Sequence, residues 1–179
     1  LSSAASDVYK RQRMMDVGTG AGFPGVPLKI AFPHLEACLL DSLKKRVNFL
    51  EETFDLLKLT DITAVHGRAE EYAKNKAYRE SFDLCVSRAV SNLATLSEYC
   101  LPYVKVGGSF ISYKSGTVQE EAEQAEKAVK ILGGKIRDVV YFSLPDSEIQ
   151  RSLVVIEKVK STPGKYPRKA GTPLKEPLV

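Results

Sequence analysis

The sequence predicts a doubly wound, mostly parallel α/β sheet closed by an antiparallel hairpin. Apolar runs of strand length alternate with helix-period segments from Met14 to Gly134. A glycine-rich turn, Asp16-Val17-Gly18-Thr19-Gly20-Ala21-Gly22-Phe23-Pro24-Gly25, follows the first run and opens a helix. The last two strand-like runs, 138–144 and 152–159, are joined by a stretch too short for a crossover helix, so they must pair antiparallel.

Taken in order, Met14 to Val17 form the first strand, and a short helix over 27–32 follows the glycine turn. Ala37-Cys38-Leu39-Leu40-Asp41 is a buried-strand run ending in an acid. Ser42 is placed to cap a helix in which Val47, Leu50, Phe54 and Leu57 recur at helical spacing. Ile62-Thr63-Ala64-Val65 is the third strand, with a polar turn from His66 to Glu71. A strand over 82–87 leads through Arg88 to a helix over 92–104, and Gly107-Gly108 turns the chain into the strand at 109–114. Thr117 with Glu120 reads as a capping box, opening a helix through Ala122, Ala125, Val129 and Leu132 to a stop at Gly133-Gly134.

A chain of 179 residues suits one globular domain. Residues 1–12 show no periodicity and read as a non-native scar, leaving 13–160 as the domain and 161–179 as a basic, Pro- and Lys-rich irregular tail. No apolar run is long enough for a membrane helix. Cys38, Cys85 and Cys100 lack metal-like spacing and read as reduced thiols, and His34 and His66 stand alone, so no metal site is expected. The net charge of +4 is concentrated at the ends: Lys158, Lys160, Lys165, Arg168, Lys169 and Lys175 face only Glu157 and Glu176. A basic tail on a near-neutral body points to a polyanionic partner.

Two glycine patterns overlap in the first turn. Gly20-Ala21-Gly22-Phe23-Pro24-Gly25 fits a dinucleotide fingerprint, with Asp41 near the position of a ribose-binding acid. Asp16-x-Gly18-x-Gly20-x-Gly22 instead has the acidic start typical of S-adenosylmethionine sites. Charge separates the two, because an acid behind the turn repels a pyrophosphate but favours an ammonium and a sulfonium. S-adenosylmethionine is therefore the expected cofactor, with Asp16, Gly18 and Gly20 forming the turn and Asp41 binding ribose hydroxyls.

The whole phrase from Asp16 to Leu28, followed by Leu39-Leu40-Asp41-Ser42-Leu43-Lys44-Lys45-Arg46, resembles the bacterial 16S ribosomal RNA guanine-N7 methyltransferases, the RsmG family, once called glucose-inhibited division protein B. Gly67-Arg68-Ala69-Glu70-Glu71, Val86-Ser87-Arg88-Ala89-Val90, Arg151-Ser152-Leu153-Val154-Val155-Ile156 and Tyr166-Pro167-Arg168-Lys169-Ala170-Gly171-Thr172-Pro173 extend the resemblance to nearly everything from Arg13 to Leu178. It implies a Rossmann-like class I methyltransferase fold, with Gly18 and Phe23 lining the cofactor site, Ala69 and Glu70 beside the adenine, and Arg88 near the methyl-donor end or the incoming guanine. Arg88 is also the one catalytic candidate. Family members carry a helical segment ahead of the glycine turn that is missing here, which implies an N-terminal truncation.

Guanine N7 carries a free lone pair and needs no deprotonation, so the lack of a clear general base fits this chemistry. Arg68, Lys114 and Arg151 are assigned to phosphates or guanine O6, and Arg168 and Lys169 to salt-sensitive backbone affinity. The implied partner is 16S RNA or the small ribosomal subunit, met by a cytoplasmic monomer with no membrane contact. A methyltransferase on another RNA or a small molecule, or a non-catalytic ribosome-binding fragment, remain the alternatives.

Overall fold

The computed structural model describes residues 12–88 and 91–178 of the chain. All of the segment read as a scar except Gln12, together with Ala89 and Val90, lies outside the described residues. The strands are β1 (Arg13–Val17), β2 (Glu36–Asp41), β3 (Ile62–His66), β4 (Phe82–Ser87), β5 (Val104–Ser115), β6 (Gly134–Ser143) and β7 (Gln150–Lys158). The helices are α1 (Gly25–Ala31), α2 (Lys44–Leu56), α3 (Ala69–Tyr72), α4 (Leu93–Cys100), α5 (Gln119–Ile131) and α6 (Thr172–Lys175). They build one seven-stranded sheet in the order β3-β2-β1-β4-β5-β7-β6.

Strand β7 runs antiparallel to both β5 and β6, while β1 to β5 are mutually parallel. The chain winds outward from β1 to β3 and then returns to β4 on the other side of β1. Between β1 and β4 the order reverses, and ligands of such sheets bind in the crevice beyond the carboxyl ends of those strands.

Side-chain alternation explains why both faces are covered. Met14 packs with Leu39, Val86, Val26, Leu50 and Phe54, under α1 and α2. One residue on, Met15 joins Cys38, Cys85, Phe110, Val154 and Ile156 beneath α4, α5 and Tyr103. Asp16 therefore shares the α1 side with Met14. Cys38, Cys85 and Cys100 are buried free thiols.

Several local expectations shift. Helix α1 begins at Gly25 rather than Pro27, since a proline in the first turn forfeits no helical hydrogen bond. Ser42 does not cap α2: Leu43 holds that position, and its N–H donates to Asp41 Oδ1 at 2.9 Å. Thr117 and Glu120 form no capping box, because α5 starts after Val118 without a side-chain cap. Helix α4 stops at Cys100, where Pro102 takes the chain into a 3₁₀ turn, Leu101–Tyr103. Strand β6 starts at Gly134, earlier than its apolar stretch suggests.

The terminal segment is a strap tied to the domain. Arg79 donates to the carbonyls of Thr162 at 2.8 Å and Tyr166 at 2.9 Å, and Glu80 accepts from Thr162 N–H at 2.7 Å. Farther along, Gly171 N–H donates to Glu70 at 2.8 Å, and Thr95 Oγ1 donates to the Pro173 carbonyl at 3.0 Å.

Candidate functional site

The glycine turn leaves β1 at the reversal point and is tied on both sides. Gly18 and Thr19 N–H both donate to the Leu40 carbonyl, at 2.9 and 3.2 Å. Gly20 N–H donates to Asp41 Oδ2 at 2.9 Å. Asp16 Oδ2 accepts from Thr19 Oγ1 at 2.7 Å and from Gly25 N–H at 2.8 Å, so one carboxylate oxygen closes the turn onto the start of α1. Gly25 has to be glycine for this approach: a Cβ there would lie 2.7 Å from Asp16 Oδ2 and 2.9 Å from Leu39 Cγ.

Asp16 is fully buried, and its Oδ1 has no hydrogen-bond partner among the described residues. Burial pushes its carboxyl up to about 6, against the pull of the Thr19 and Gly25 hydrogen bonds and the nearby Arg88 charge. An unpartnered buried acceptor behind the turn fits a cationic group and opposes a phosphate. This buried acceptor fits S-adenosylmethionine.

The residues expected at the cofactor divide into three groups. Gly18, Gly20 and Asp41 gather at the ends of β1 and β2, and Asp41 is already held by Gly20, by Leu43 N–H and by Arg46 Nη1 at 3.3 Å. Ala69 opens α3 just past β3, its carbonyl accepting from the Tyr103 hydroxyl at 2.7 Å. Glu70, expected beside an adenine, is buried next to Ala69, and its Oε1 holds the strap through Gly171. Phe23 is 49 % exposed and carries the Arg88 guanidinium 5.5 Å from its ring centroid, so these two form one wall beside the turn.

Phe23 and Arg88 open onto a cavity of about 1020 Å³ that also takes in Tyr113, Lys114, Glu121 and Arg151. Arg151 donates to the Gln150 carbonyl at 2.9 Å and is half-buried at the cavity. Lys114 is not a free phosphate ligand here: its Nζ donates to the Ser91 carbonyl at 2.7 Å and Glu121 Oε1 at 2.6 Å. Arg168 is likewise reassigned, because its guanidinium is neutralised by the buried carboxylate of Glu98 at 2.7 Å. Arg68 and Lys169 stay exposed.

Two functional-looking residues escaped the sequence reading. Glu121 accepts from Leu93 N–H at 2.6 Å as well as from Lys114, joining the starts of α4 and α5. Its only signal was membership of the acidic pair Glu120-Glu121. Glu98 had a better one, since it is the lone charge in the helix Leu93–Cys100.

The chain is similar over residues 2–154 to the family model described as GidB, rRNA small subunit methyltransferase G. A "Ribosomal RNA small subunit methyltransferase G" of Lachnoclostridium phytofermentans is 58 % identical over 166 residues, covering 93 % of this chain and 69 % of the relative. One from Alkaliphilus oremlandii is 55 % identical over 179 residues, covering 99 % and 75 %. Among solved structures, Pyrococcus horikoshii TYW2 in complex with MeSAdo aligns with a TM-score of 0.67 at 13 % identity, over 84 % of this chain and 58 % of that one. TrmN from Thermus thermophilus aligns at 0.62 with 15 % identity, over 87 % and 46 %, and both likenesses show the shared fold. A seven-stranded sheet with an acid-backed glycine turn, and more than half of the chain covered by one family model, give the same answer: this chain belongs to the GidB family of rRNA small subunit methyltransferases G.

Proposed function

We propose that this chain transfers a methyl group from S-adenosylmethionine to N7 of a guanine in 16S ribosomal RNA, in the bacterial cytoplasm. The observation that carries the cofactor is the buried, unpartnered Asp16 Oδ1 behind the glycine turn. The RNA target follows from kinship with relatives named as methyltransferases of the small-subunit RNA.

When bound, S-adenosylmethionine supplies a methyl carbon on a cationic sulfur. Asp16 favours positive charge at the turn, and the backbone at the start of α3, just past β3, offers polar contacts to the rest of the molecule. Guanine N7 already carries the lone pair that would take the methyl group, so no side chain has to remove a proton. The task left to the protein is alignment in a shielded site. Phe23 offers an apolar face for the base, and Arg88, braced on that face, orients what enters the cavity. Arg68 and Lys169, both exposed, supply phosphate contacts.

The test is incubation of the protein with labelled S-adenosylmethionine and 16S RNA or small subunits, followed by mapping of the modified base. Label at N7 of one guanine supports the reading. Label on another atom or base, or none with bound cofactor demonstrated, overturns it.

A further inference from the structure

Glu121 is the one carboxylate among the described residues lining the cavity. Its two oxygens are used unequally. Oε1 accepts from Lys114 Nζ and from Leu93 N–H, both at 2.6 Å, while Oε2 has no hydrogen-bond partner among the described residues. The side chain is 32 % exposed and Lys114 only 11 %, so a held cation and a helix start fix a carboxylate that still faces the cavity. Lys114 is spent on this task and on the Ser91 carbonyl.

Resting on the reading that a guanine is methylated at N7 here, we propose that Glu121 is the residue that identifies the base, its Oε2 accepting from N1–H and the 2-amino group of the Watson–Crick edge. Guanine presents two adjacent donors on that edge. Adenine has an acceptor at N1 and no 2-amino group, so the same carboxylate repels it and stays unpaired. N7 lies on the opposite side of the purine, so holding this edge leaves the reacting nitrogen free. Phe23 and Tyr113 line the same cavity and offer aromatic faces to the ring. The purine gains a positive charge as N7 is methylated, and a carboxylate on N1–H stabilises that charge as it develops. The engaged edge is the one used in base pairing, so the target guanine must be unpaired or turned out of a helix when it binds.

The experiment pairs wild type and Glu121→Gln with small-subunit RNA carrying guanine, inosine or N1-methylguanine at the mapped position. Inosine lacks the 2-amino group, and N1-methylguanine lacks N1–H. For wild type, kcat/KM falls about 10- to 100-fold on each replacement, the span expected for a hydrogen bond to a charged group. In Glu121→Gln the guanine substrate drops by a similar factor while the guanine-to-inosine ratio collapses toward one, and cofactor affinity by calorimetry is unchanged. A guanine-to-inosine ratio that survives in the variant overturns the proposal, since a purely structural role lowers both substrates equally. If the variant fails to fold, wild type alone decides: indifference to both altered bases overturns the assignment. Absence of transfer to any guanine by a wild-type protein that binds cofactor overturns the parent reading, a result distinct from transfer without base discrimination.

Discussion

The guanidinium of Arg168 is forked onto the carboxylate of Glu98, with Nε 3.0 Å from Oε1 and Nη2 2.7 Å from Oε2, and Glu98 is wholly buried. The backbone N–H of Arg168 donates to the same carboxylate at 2.8 Å. A cation so engaged anchors the strap through a buried ion pair.

Arg168→Ala therefore strands a buried carboxylate. We expect a loss of about 2–3 kcal/mol in denaturant unfolding, below the usual cost of breaking a fully buried pair because Arg168 is partly exposed. The salt dependence of RNA binding separates the two strap cations. Lys169→Ala should lower the slope of log K against log salt by roughly one. A greater loss of slope for a folded Arg168→Ala than for Lys169→Ala would return Arg168 to the RNA interface.

The raised carboxyl of Asp16 sets a pH window. Its folded value of about 6 lies above its ordinary 3.8, so across that interval the folded chain holds a proton that the unfolded chain has released. Stability from this group thus falls as pH rises through the window, by roughly 3 kcal/mol in all. Asp16→Asn should flatten that part of the pH–stability curve, measured by urea unfolding between pH 4 and 7. A wild-type curve rising with pH there, followed unchanged by the variant, would show that Asp16 ionises freely.

The same proton opposes a cationic ligand. S-adenosylmethionine affinity should weaken below about pH 6 by up to tenfold per unit, because binding needs the carboxylate. The Arg88 charge lowers the Asp16 value, so Arg88→Gln should move this midpoint upward. Calorimetry over a pH series checks both, and a midpoint unmoved by the substitution would separate Arg88 electrostatically from the turn.

Gly25→Ala should disturb the turn from behind. The new methyl meets Asp16 Oδ2 and the buried Leu39, so thermal unfolding should report a loss of about 1–3 kcal/mol. Cofactor affinity should fall with it. Wild-type affinity in the variant would show that the Asp16–Gly25 contact does not shape the site.

Features set by neighbours in sequence were legible, and those set by distant partners were not. The run Met14 to Val17 with the glycines after it announced a strand, a turn and a helix, because all three depend on local backbone chemistry. Asp41 at the end of β2 was legible for the same reason, although it is held by Gly20 and Leu43 in this structure. The pairing of Arg168 was not legible, because its partner Glu98 lies 70 positions away and no local pattern reports such a pair. The pairing of Lys114 was hidden in the same way: its carboxylate belongs to the next helix and looked like ordinary helix-start charge. The two missed caps differ in cause. Asp41 reaches the start of α2 that Ser42 was expected to govern, while α5, which Thr117 was expected to open, has no side-chain cap and its Glu121 turns instead to the start of α4.

The central claim is that the turn after β1 accepts a phosphate-free, positively charged methyl donor. Side-by-side calorimetric titration of the protein with S-adenosylmethionine and NAD at pH 7.5 tests it most directly. Saturable binding of the former, lost in Asp16→Lys, with no heat from NAD is the predicted result. Binding of NAD, or S-adenosylmethionine affinity untouched by the charge reversal in a folded variant, would contradict it.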